Sequence, residues 1–356
     1  MTCQGGAGNH LKNTSKVDMR FALKEIALQS GLSLATVDRA LHGRAHVRET
    51  TKARIRAAID ELERQYASSN LVGRRLTFDF VIEAPQRFSS AVRKAFEEEA
   101  GSFRPASLGT RFHLAERMER MDILKLLTSI KKRGSQGVVL KAPAHPEIVQ
   151  AAKALVATGI PIATFVTDLP DPARHAYIGI DNARAGAAAA WLMNGMLAAR
   201  PCEVLVTLSS ASFMGEEERE AGFRSRLSTL NPALRVHTVA EGMGLSQSTG
   251  ALVRKTLEQH RNIRAVYSAG GANQAILGVF RELNRPIHVF AAHDLDQSNR
   301  LLLAEERLSF VINHDLTQDA RTAYRLFLHH HRMLPGKFTV APSRFSIVTP
   351  DSLPSL

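Results

Sequence analysis

Residues 22–62 read ALKEIALQSGLSLATVDRALHGRAHVRETTKARIRAAIDEL and contain three successive segments with a helical period. In the first segment, Leu23, Ile26 and Ala27 fall on one face, and the pattern stops at Gly31. Apolar residues three and four positions apart are typical of an amphipathic helix, and glycine commonly ends one. This stretch therefore predicts a small helical domain near the start of the chain.

Two more helices follow this glycine. We predict the second over residues 34–41, with Ser33 as its N-cap, and the third from about Glu49 to Gln65. Two short helices joined by a glycine turn and backed by a third resemble a helix-turn-helix when the second helix presents small or polar residues. The residues expected to face outward are Ser33, Leu34, Ala35, Thr36, Asp38 and Arg39. An ordinary three-helix cap is the alternative interpretation of this pattern.

Positive charge is concentrated at this end of the chain. The 356 residues carry a formal net charge of +12, and residues 1–76 alone hold 13 basic and 7 acidic side chains, or +6. The rest of the chain is several times longer and shares the other +6. Concentrated positive charge favours a polyanionic partner such as nucleic acid. A content of 44% hydrophobic residues indicates a folded protein.

Cysteine usage and hydropathy narrow the class of protein. The two cysteines, Cys3 and Cys202, lie in unrelated contexts, which excludes a disulfide framework and a cysteine-rich zinc site. No apolar run approaches the length of a membrane span, and the start of the chain lacks the apolar core of a signal peptide. We expect a cytoplasmic protein with no membrane partner and a disordered tail over residues 1–18.

Beyond residue 77 the pattern changes to short apolar runs that alternate with amphipathic helical segments. The predicted strands are FDFVIEA, RFHLAE, GVVLKA, PIATFV, AYIGID, CEVLVTL, LRVHTVA, AVYSAG, IHVFAAH and LSFVINH. Near-continuous Val, Ile, Leu and Ala runs are typical of parallel strands covered on both faces by helices. Because about ten strands exceed what one such sheet usually holds, we predict an α/β body with two lobes.

The opening stretch resembles the head of lactose-repressor (LacI) family transcription regulators. The shared pattern is a Leu or Ile, then Lys-Asp/Glu-Val/Ile-Ala, a gap of four, and Val-Ser-x-x-Thr-Val-Ser-Arg-x-Leu-Asn, and the likeness extends over residues 22–62. This chain departs from it with Leu32, Asp38 and His42. Asp38 matters most, because a carboxylate beside DNA phosphates is unfavourable unless a cation such as Arg39 or Arg44 neutralises it.

The resemblance implies roles for residues of the head and of the segment after it. Base reading would fall to Leu34, Ala35 and Arg39, and phosphate contact to Ser33 and Thr36. The family also has a hinge helix that inserts a leucine into the minor groove of operator DNA. The segment SSNLVGRRL occupies that place, so Leu71 and Arg74 are candidate DNA contacts and Leu76 is a second candidate wedge. A plain flexible linker is the alternative. Family heads also start close to the Leu-Lys pair, which makes Met19 a candidate initiator.

The second part of the chain resembles the periplasmic-binding-protein-like effector domain of the same family. The motifs that carry the resemblance are AYIGIDNARAGAAAAWL, EREAGFRSRL, AVYSAGGANQAILG and HVFAAHDLDQ. Carried over by position, the effector-binding residues are Phe88, Ser89, Asp168, Arg219, Asn273, Asp294 and His314. Carboxylates, an Arg, an Asn and an aromatic ring suit a polyhydroxylated ligand such as a sugar or polyol.

Each of these residues also has a purely structural alternative. Arg219 can be a surface helix residue, Asp168 and Asp294 can be loop caps, and Asn273 can be a helix N-cap. Asp181 and Asn182 are predicted to be turn and cap residues.

No phosphate-binding loop, nucleophile elbow or paired metal motif is present in the sequence. Three consecutive histidines, residues 329–331, are poorly placed to share one ion on a helix and indicate a solvated helix end. We therefore expect no catalytic residue, no cofactor and no metal, although a sugar-processing enzyme with a basic appendage is an alternative from another class. A nucleic-acid binder with no effector is a third.

These observations predict four parts: a tail at 1–18, a helix-turn-helix domain at 19–66, a hinge at 67–77, and a two-lobed effector-binding and dimerisation domain at 78–356. The expected function is that of a ligand-responsive repressor of a carbohydrate or polyol catabolic operon. It would bind near-palindromic double-stranded operator DNA as a homodimer, since one short recognition helix contacts too few bases for tight binding.

Overall fold

The computed structural model describes residues 21–42, 44, 47–103, 106–170, 172–198, 200–336 and 338–354. The chain divides into two compact units, a head over Met1–Asn70 and a body over Leu71–Leu356. The tail expected at residues 1–18, and Met19, lie outside the described residues. None of the described helices combines the length and apolar character that a membrane span requires.

The head consists of helices α1 (Leu23–Ser30), α2 (Leu34–Leu41) and α3 (Glu49–Leu71). Gly31 ends α1 with a φ of +62°, a left-handed conformation that glycine adopts without steric cost. Ile26, Ala27, Val37 and Ile55 form the buried core, as the helical period predicts. Helix α3 continues past the predicted end at Gln65 to Leu71, so the first part of the expected hinge is helical.

The N-terminal lobe of the body contains a parallel sheet with helices between its strands. Its elements are β1 (Arg75–Glu83), α4 (Gln86–Ala100), β2 (Ser107–Ala115), α5 (Arg120–Arg133), β3 (Val138–Lys141), α6 (Pro146–Val156), β4 (Ile162–Phe165) and β5 (Ala176–Ile178). The described strands lie in the order β2-β1-β3-β4-β5. Doubly wound sheets of this order bind ligands beyond the carboxyl ends of their strands.

The C-terminal lobe repeats this arrangement. Its elements are α7 (Asn182–Leu197), β6 (Glu203–Thr207), α8 (Met214–Leu230), β7 (Val236–Val239), α9 (Ser246–Gln259), β8 (Ile263–Ser268), α10 (Asn273–Glu282), β9 (Val289–His293), α11 (Gln297–Ala304), β10 (Phe310–His314) and β11 (Phe345–Val348). The described strands lie in the order β11-β10-β9-β8-β6-β7, and β11 is antiparallel to β10. All ten predicted strands are confirmed, whereas β11 was not predicted.

The chain passes between the lobes more than once. After β10 in the C-terminal lobe it returns as α12 (Leu316–His330), which packs on the N-terminal lobe. The ring of Phe327 on α12 stacks on Phe78 of β1 with a centroid distance of 5.3 Å. The two-lobed α/β body is therefore confirmed, and its lobes are joined by crossing segments that any relative rotation of the lobes must bend.

One of the two leucines considered for insertion into the minor groove, Leu76, is a wrong prediction. Leu76 belongs to β1 and is only 4% exposed, because it packs in the core of the N-terminal lobe with Phe78 and Phe80. A leucine held there cannot enter a DNA groove without unfolding the start of the sheet. Leu71, the last residue of α3, is the candidate that remains.

Candidate functional site

Helix α2 presents a small polar surface at its amino end. The Ser33 hydroxyl accepts a hydrogen bond from the Thr36 amide at 3.2 Å, as predicted for an N-cap, and lies 2.8 Å from the Thr36 hydroxyl. Leu34 is half exposed, and Ala35 is exposed beside it. The exposed Arg39 donates from Nε to the Ala35 carbonyl at 3.1 Å, which places its guanidinium along its own helix.

The unusual carboxylate of α2 is neutralised locally. Arg44 Nη1 lies 3.2 Å from one oxygen of Asp38, and His42 Nδ1 lies 3.0 Å from the other. Of the two arginines considered from the sequence, Arg44 therefore makes this pair and Arg39 does not. On the outward face of α2, the negative charge of Asp38 is therefore balanced by the positive charge of Arg44.

The hinge residues lie where the head ends and the body begins. Leu71 ends α3, and Arg74 is an exposed residue directly before β1. The Arg74 carbonyl accepts a hydrogen bond from the Ser107 amide at 2.9 Å, which ties this backbone to β2. The backbone of Arg74 is thus anchored to β2, and its side chain is exposed at the start of the sheet.

A narrow cleft lies between the two lobes of the body. It opens where the strands of both sheets end, so its wall consists of strand termini and the helix ends that follow them. Of the residues predicted to bind an effector, Phe88, Arg219 and Asp294 line this cleft. Phe213 adds a second aromatic ring.

Arg219 is buried and points into the cleft, which the surface-helix alternative does not allow. Its side chain is 2% exposed, and its Nε donates to the Asn182 side chain at 2.8 Å. Its Nη2 is buried and has no hydrogen-bond partner among the described residues. Close packing of α7 on α8 holds it there, because Gly222 faces the Ala183 carbonyl and has no space for a Cβ atom. A buried guanidinium with an unpaired N–H is a donor for a ligand.

Asp294 lies opposite, at the end of β9, in a left-handed conformation with a φ of +65°. His314 Nδ1 lies 3.2 Å from its Oδ1, and His314 Nε2 lies 3.8 Å from Asp319 on α12. Burial by itself would raise the pKa of Asp294, but the contact with His314 outweighs it and holds this pKa below its usual range. Burial alone would lower the pKa of His314, and its contact with Asp294 raises it instead. His314 thus lies behind the cleft as a support for Asp294.

The cleft also contains charged residues that the sequence did not predict. Lys141 ends β3, donates to the Glu83 carbonyl at 2.9 Å and lies 3.9 Å from the centre of the Phe213 ring. Burial lowers the pKa of Lys141 and raises the pKa of both Glu83 and Glu216. Oε2 of Glu83 is buried, and no residue in the described part of the chain forms a hydrogen bond with it. This wall therefore offers acceptors as well as donors.

An ion pair also joins the two lobes across the cleft. Arg87 on α4 of the N-terminal lobe lies 3.4 Å from Asp296, the N-cap of α11 in the C-terminal lobe. Such a pair exists only while the two lobes are close together.

Besides His314, three other predicted effector residues, Ser89, Asn273 and Asp168, do not line the cleft. The Ser89 hydroxyl donates to the Gln86 carbonyl within α4, and the Asn273 amide donates to Asn299 at 2.7 Å. Asp168 is bound by Arg174 at 2.7 Å, with hydrogen bonds from Thr164 and its own loop. Its contacts match the loop-cap alternative.

Comparison with known proteins identifies both units. The family model described as bacterial regulatory proteins, lacI family, matches residues 22–65, and the periplasmic binding protein domain model matches residues 122–332, more than half of the chain. The chain belongs to the lacI family of regulators. Its body is a periplasmic-binding-protein domain. A search of curated proteins found no match to the chain. This membership makes it a ligand-responsive DNA-binding regulator and not an enzyme.

Solved structures share the fold of the regulator's body. GanP, a glucose-galactose binding protein from Geobacillus stearothermophilus, is 16% identical with a TM-score of 0.70 and covers 79% of this chain and 100% of its own. A solute-binding protein from Burkholderia graminis C4D1M, in complex with D-arabinose, is 17% identical with a TM-score of 0.71, covering 80% and 98%. A protein assigned as a LacI transcriptional regulator from Bacteroides fragilis is 15% identical with a TM-score of 0.67, covering 78% and 98%.

Proposed function

We propose that the regulator is a cytoplasmic repressor of a carbohydrate or polyol catabolic operon. It binds near-palindromic operator DNA as a homodimer, and a sugar or polyol in the cleft between its lobes changes its affinity for DNA. The proposed DNA contacts are Ser33, Leu34, Ala35, Thr36, Arg39, Leu71 and Arg74. The proposed effector contacts are Phe88, Arg219 and Asp294, with Lys141 and Glu83 added from the structure.

The observation that carries the effector assignment is the buried Nη2 of Arg219, which has no hydrogen-bond partner among the described residues and lines the same cleft as Asp294 and the unpaired Oε2 of Glu83. A buried polar atom without a partner costs about 1–3 kcal/mol, so a ligand that supplies the partner gains that amount. Hydroxyl groups do this for both kinds of atom, because a hydroxyl accepts from Arg219 and donates to Asp294 or Glu83. The rings of Phe88 and Phe213 suit the apolar C–H faces of a sugar. Structures of similar fold that bind glucose, galactose or arabinose support this choice.

Coupling to DNA follows from the position of the cleft. A ligand that binds between the lobes favours one angle between them, and the crossing segments at His314 and near β11 must adapt to it. In a homodimer, that angle sets the distance between the two hinge segments that follow α3. By thermodynamic linkage, a ligand that changes operator affinity is itself bound more or less tightly by the same factor when DNA is present.

A ligand screen tests the proposal. Pentoses, hexoses and polyols are added singly to the full-length chain, and the thermal unfolding of the body is measured. A cognate ligand at 100 times its Kd should stabilise the body by about 2.7 kcal/mol. The same ligand should shift the affinity for operator DNA taken from the promoter of a neighbouring catabolic operon. Stabilisation by none of these compounds, together with tight operator binding, would instead support a DNA binder with no sugar effector.

A further inference from the structure

Two histidines and a glutamate meet at the end of the C-terminal lobe that lies away from the effector cleft. Glu203 is the first residue of β6, His237 is the second residue of β7, and His260 directly follows α9. One potential ligand atom from each side chain lies within 4.8 Å of the other two. Glu203 and His237 are only 17% and 20% exposed, so the cluster is largely shielded from solvent.

The sheet places Glu203 and His237 on the same face. His237 pairs with Leu205 of β6, and Glu203 lies two residues before Leu205, so both side chains lie on the side of Leu205. Hydrogen bonds also fix the backbone at Glu203 and at His260. The Glu203 amide donates to the Asn262 carbonyl at 2.9 Å, and the His260 amide donates to the Thr256 carbonyl at 3.0 Å. The cluster is therefore preorganised by the sheet and by the end of α9.

The side chains are arranged as a set of metal ligands. His237 Nε2 lies 3.0 Å from Glu203 Oε2, and the rings of His237 and His260 stack with centroids 3.7 Å apart. Two imidazoles this close repel each other when both are protonated, whereas neutral rings offer lone pairs that one cation can share. Two imidazole nitrogens and one carboxylate oxygen are a ligand set that Zn²⁺ accepts, with a water or another ligand in the fourth position.

We propose that Glu203, His237 and His260 bind one divalent first-row transition-metal ion of the Zn²⁺ class. Ligands about 2.0–2.2 Å from a tetrahedral ion lie roughly 3.3 Å from one another, so side-chain rotation within the observed 4.8 Å completes the site. The nearby cation Arg264 is committed elsewhere, because its Nη1 donates to the carbonyls of Arg261 and Ile263. Among the described residues, no other group of three such side chains meets this distance criterion.

The site is separate from the effector cleft. Glu203 lies at the amino end of β6, and Ser209, in the cleft wall, lies just beyond its carboxyl end. The extended chain between them spans roughly 20 Å. A bound ion would link β6, β7 and the end of α9.

A cobalt titration tests the proposal with the full-length chain after removal of any affinity tag. Co²⁺ is added to the metal-free protein, its visible d–d absorption is recorded, and Zn²⁺ is then added as competitor. We expect one Co²⁺ per chain with absorption typical of four or five ligands, displaced by an equivalent of Zn²⁺. His237→Gln and His260→Gln should each weaken binding more than about tenfold, since loss of an outer-shell partner alone costs 10- to 100-fold.

Two comparisons make the result decisive. Glu203→Gln preserves the shape of the side chain and a hydrogen bond to His237, so the circular dichroism and the metal-free melting temperature should stay unchanged. Because the carboxylate is lost, the affinity for Co²⁺ should fall. His330→Gln, in the histidine run of α12, should bind Co²⁺ like the wild type, because its ring lies 3.2 Å from the Gly159 carbonyl instead. The proposal is overturned if no saturable absorption appears, if all variants share the same weak binding, or if only His330→Gln loses it.

Discussion

Replacing Asp38 with Asn should increase the affinity of the regulator for any DNA duplex. In the structure Asp38 holds Arg44 at 3.2 Å through an exposed ion pair, which is worth only about 0–1 kcal/mol. Without the carboxylate, Arg44 is free to pair with a phosphate. One additional phosphate neutralised steepens the dependence of log K on log salt by about 0.9, so the ratio of affinities at 50 and 200 mM salt should grow by about 3.5-fold.

Fluorescence anisotropy of a labelled non-operator duplex, titrated at several salt concentrations and one pH, measures this slope without knowledge of the operator. The control is Asp38→Asn in an Arg44→Ala background, where no arginine is available for release and the slope should stay as in Arg44→Ala alone. The prediction is contradicted if Asp38→Asn leaves the wild-type slope unchanged or steepens it equally in both backgrounds. Either result would mean that Arg44, once released from Asp38, does not pair with a DNA phosphate.

Three further substitutions separate the roles of the head, the cleft and the support behind it. Arg39→Ala should cost about 1–3 kcal/mol on operator DNA and relax discrimination at one base position, measured against single-base operator variants, while equal loss on all duplexes would reduce Arg39 to a phosphate contact. Arg219→Met should leave ligand-free operator affinity within twofold but weaken effector binding by about 10- to 150-fold in calorimetry, because a charged hydrogen bond worth about 1.5–3 kcal/mol is lost. His314 has a raised pKa, so the stability it contributes is complete below about pH 6.5 and is lost as the pH rises through its folded-state value. The wild-type melting temperature should therefore decline more between pH 6 and pH 8 than that of His314→Gln, and parallel pH profiles would contradict this assignment.

Local pattern was sufficient to predict the head and most of the body. Helix α2 begins and ends where the apolar period and the Ser33 cap predict, since both signals are local to this short helix. The ten short apolar runs became strands because a parallel sheet buries both of its faces. Strand β11 was not predicted, and it differs from the other ten in pairing antiparallel, with β10, at the edge of the sheet.

Part of the lining of the cleft was predicted from local sequence patterns. Arg219 and Asp294 were predicted as effector contacts from motifs of the family, and both line the cleft. Lys141 had a usable signal, a charge at the end of an otherwise apolar strand, whereas Glu216 stands in a run of similar glutamates. Asp168 was predicted to bind the effector, but it pairs with Arg174 outside the cleft lining. The sequence does not reveal the path of the loop that brings Arg174 to it.

The proposed metal ligands could not be predicted at all. Glu203, His237 and His260 are far apart in the chain and form no motif, so only the register of β6 and β7 and the end of α9 bring them together. The sequence expectation of no metal followed from the absence of local motifs, which such a site does not need.

The central claim is that a small molecule in the interlobe cleft and DNA at the head bind the same chain with coupled free energies. The most direct test is an operator titration at fixed salt, with and without the ligand found by thermal screening, in the wild type and in Arg219→Met. We expect at least a fivefold change in operator Kd for the wild type and a reciprocal change in ligand Kd when operator is present. At ligand concentrations that saturate only the wild type, we expect no change for the variant. An operator Kd that is identical with and without saturating ligand in the wild type would contradict the claim.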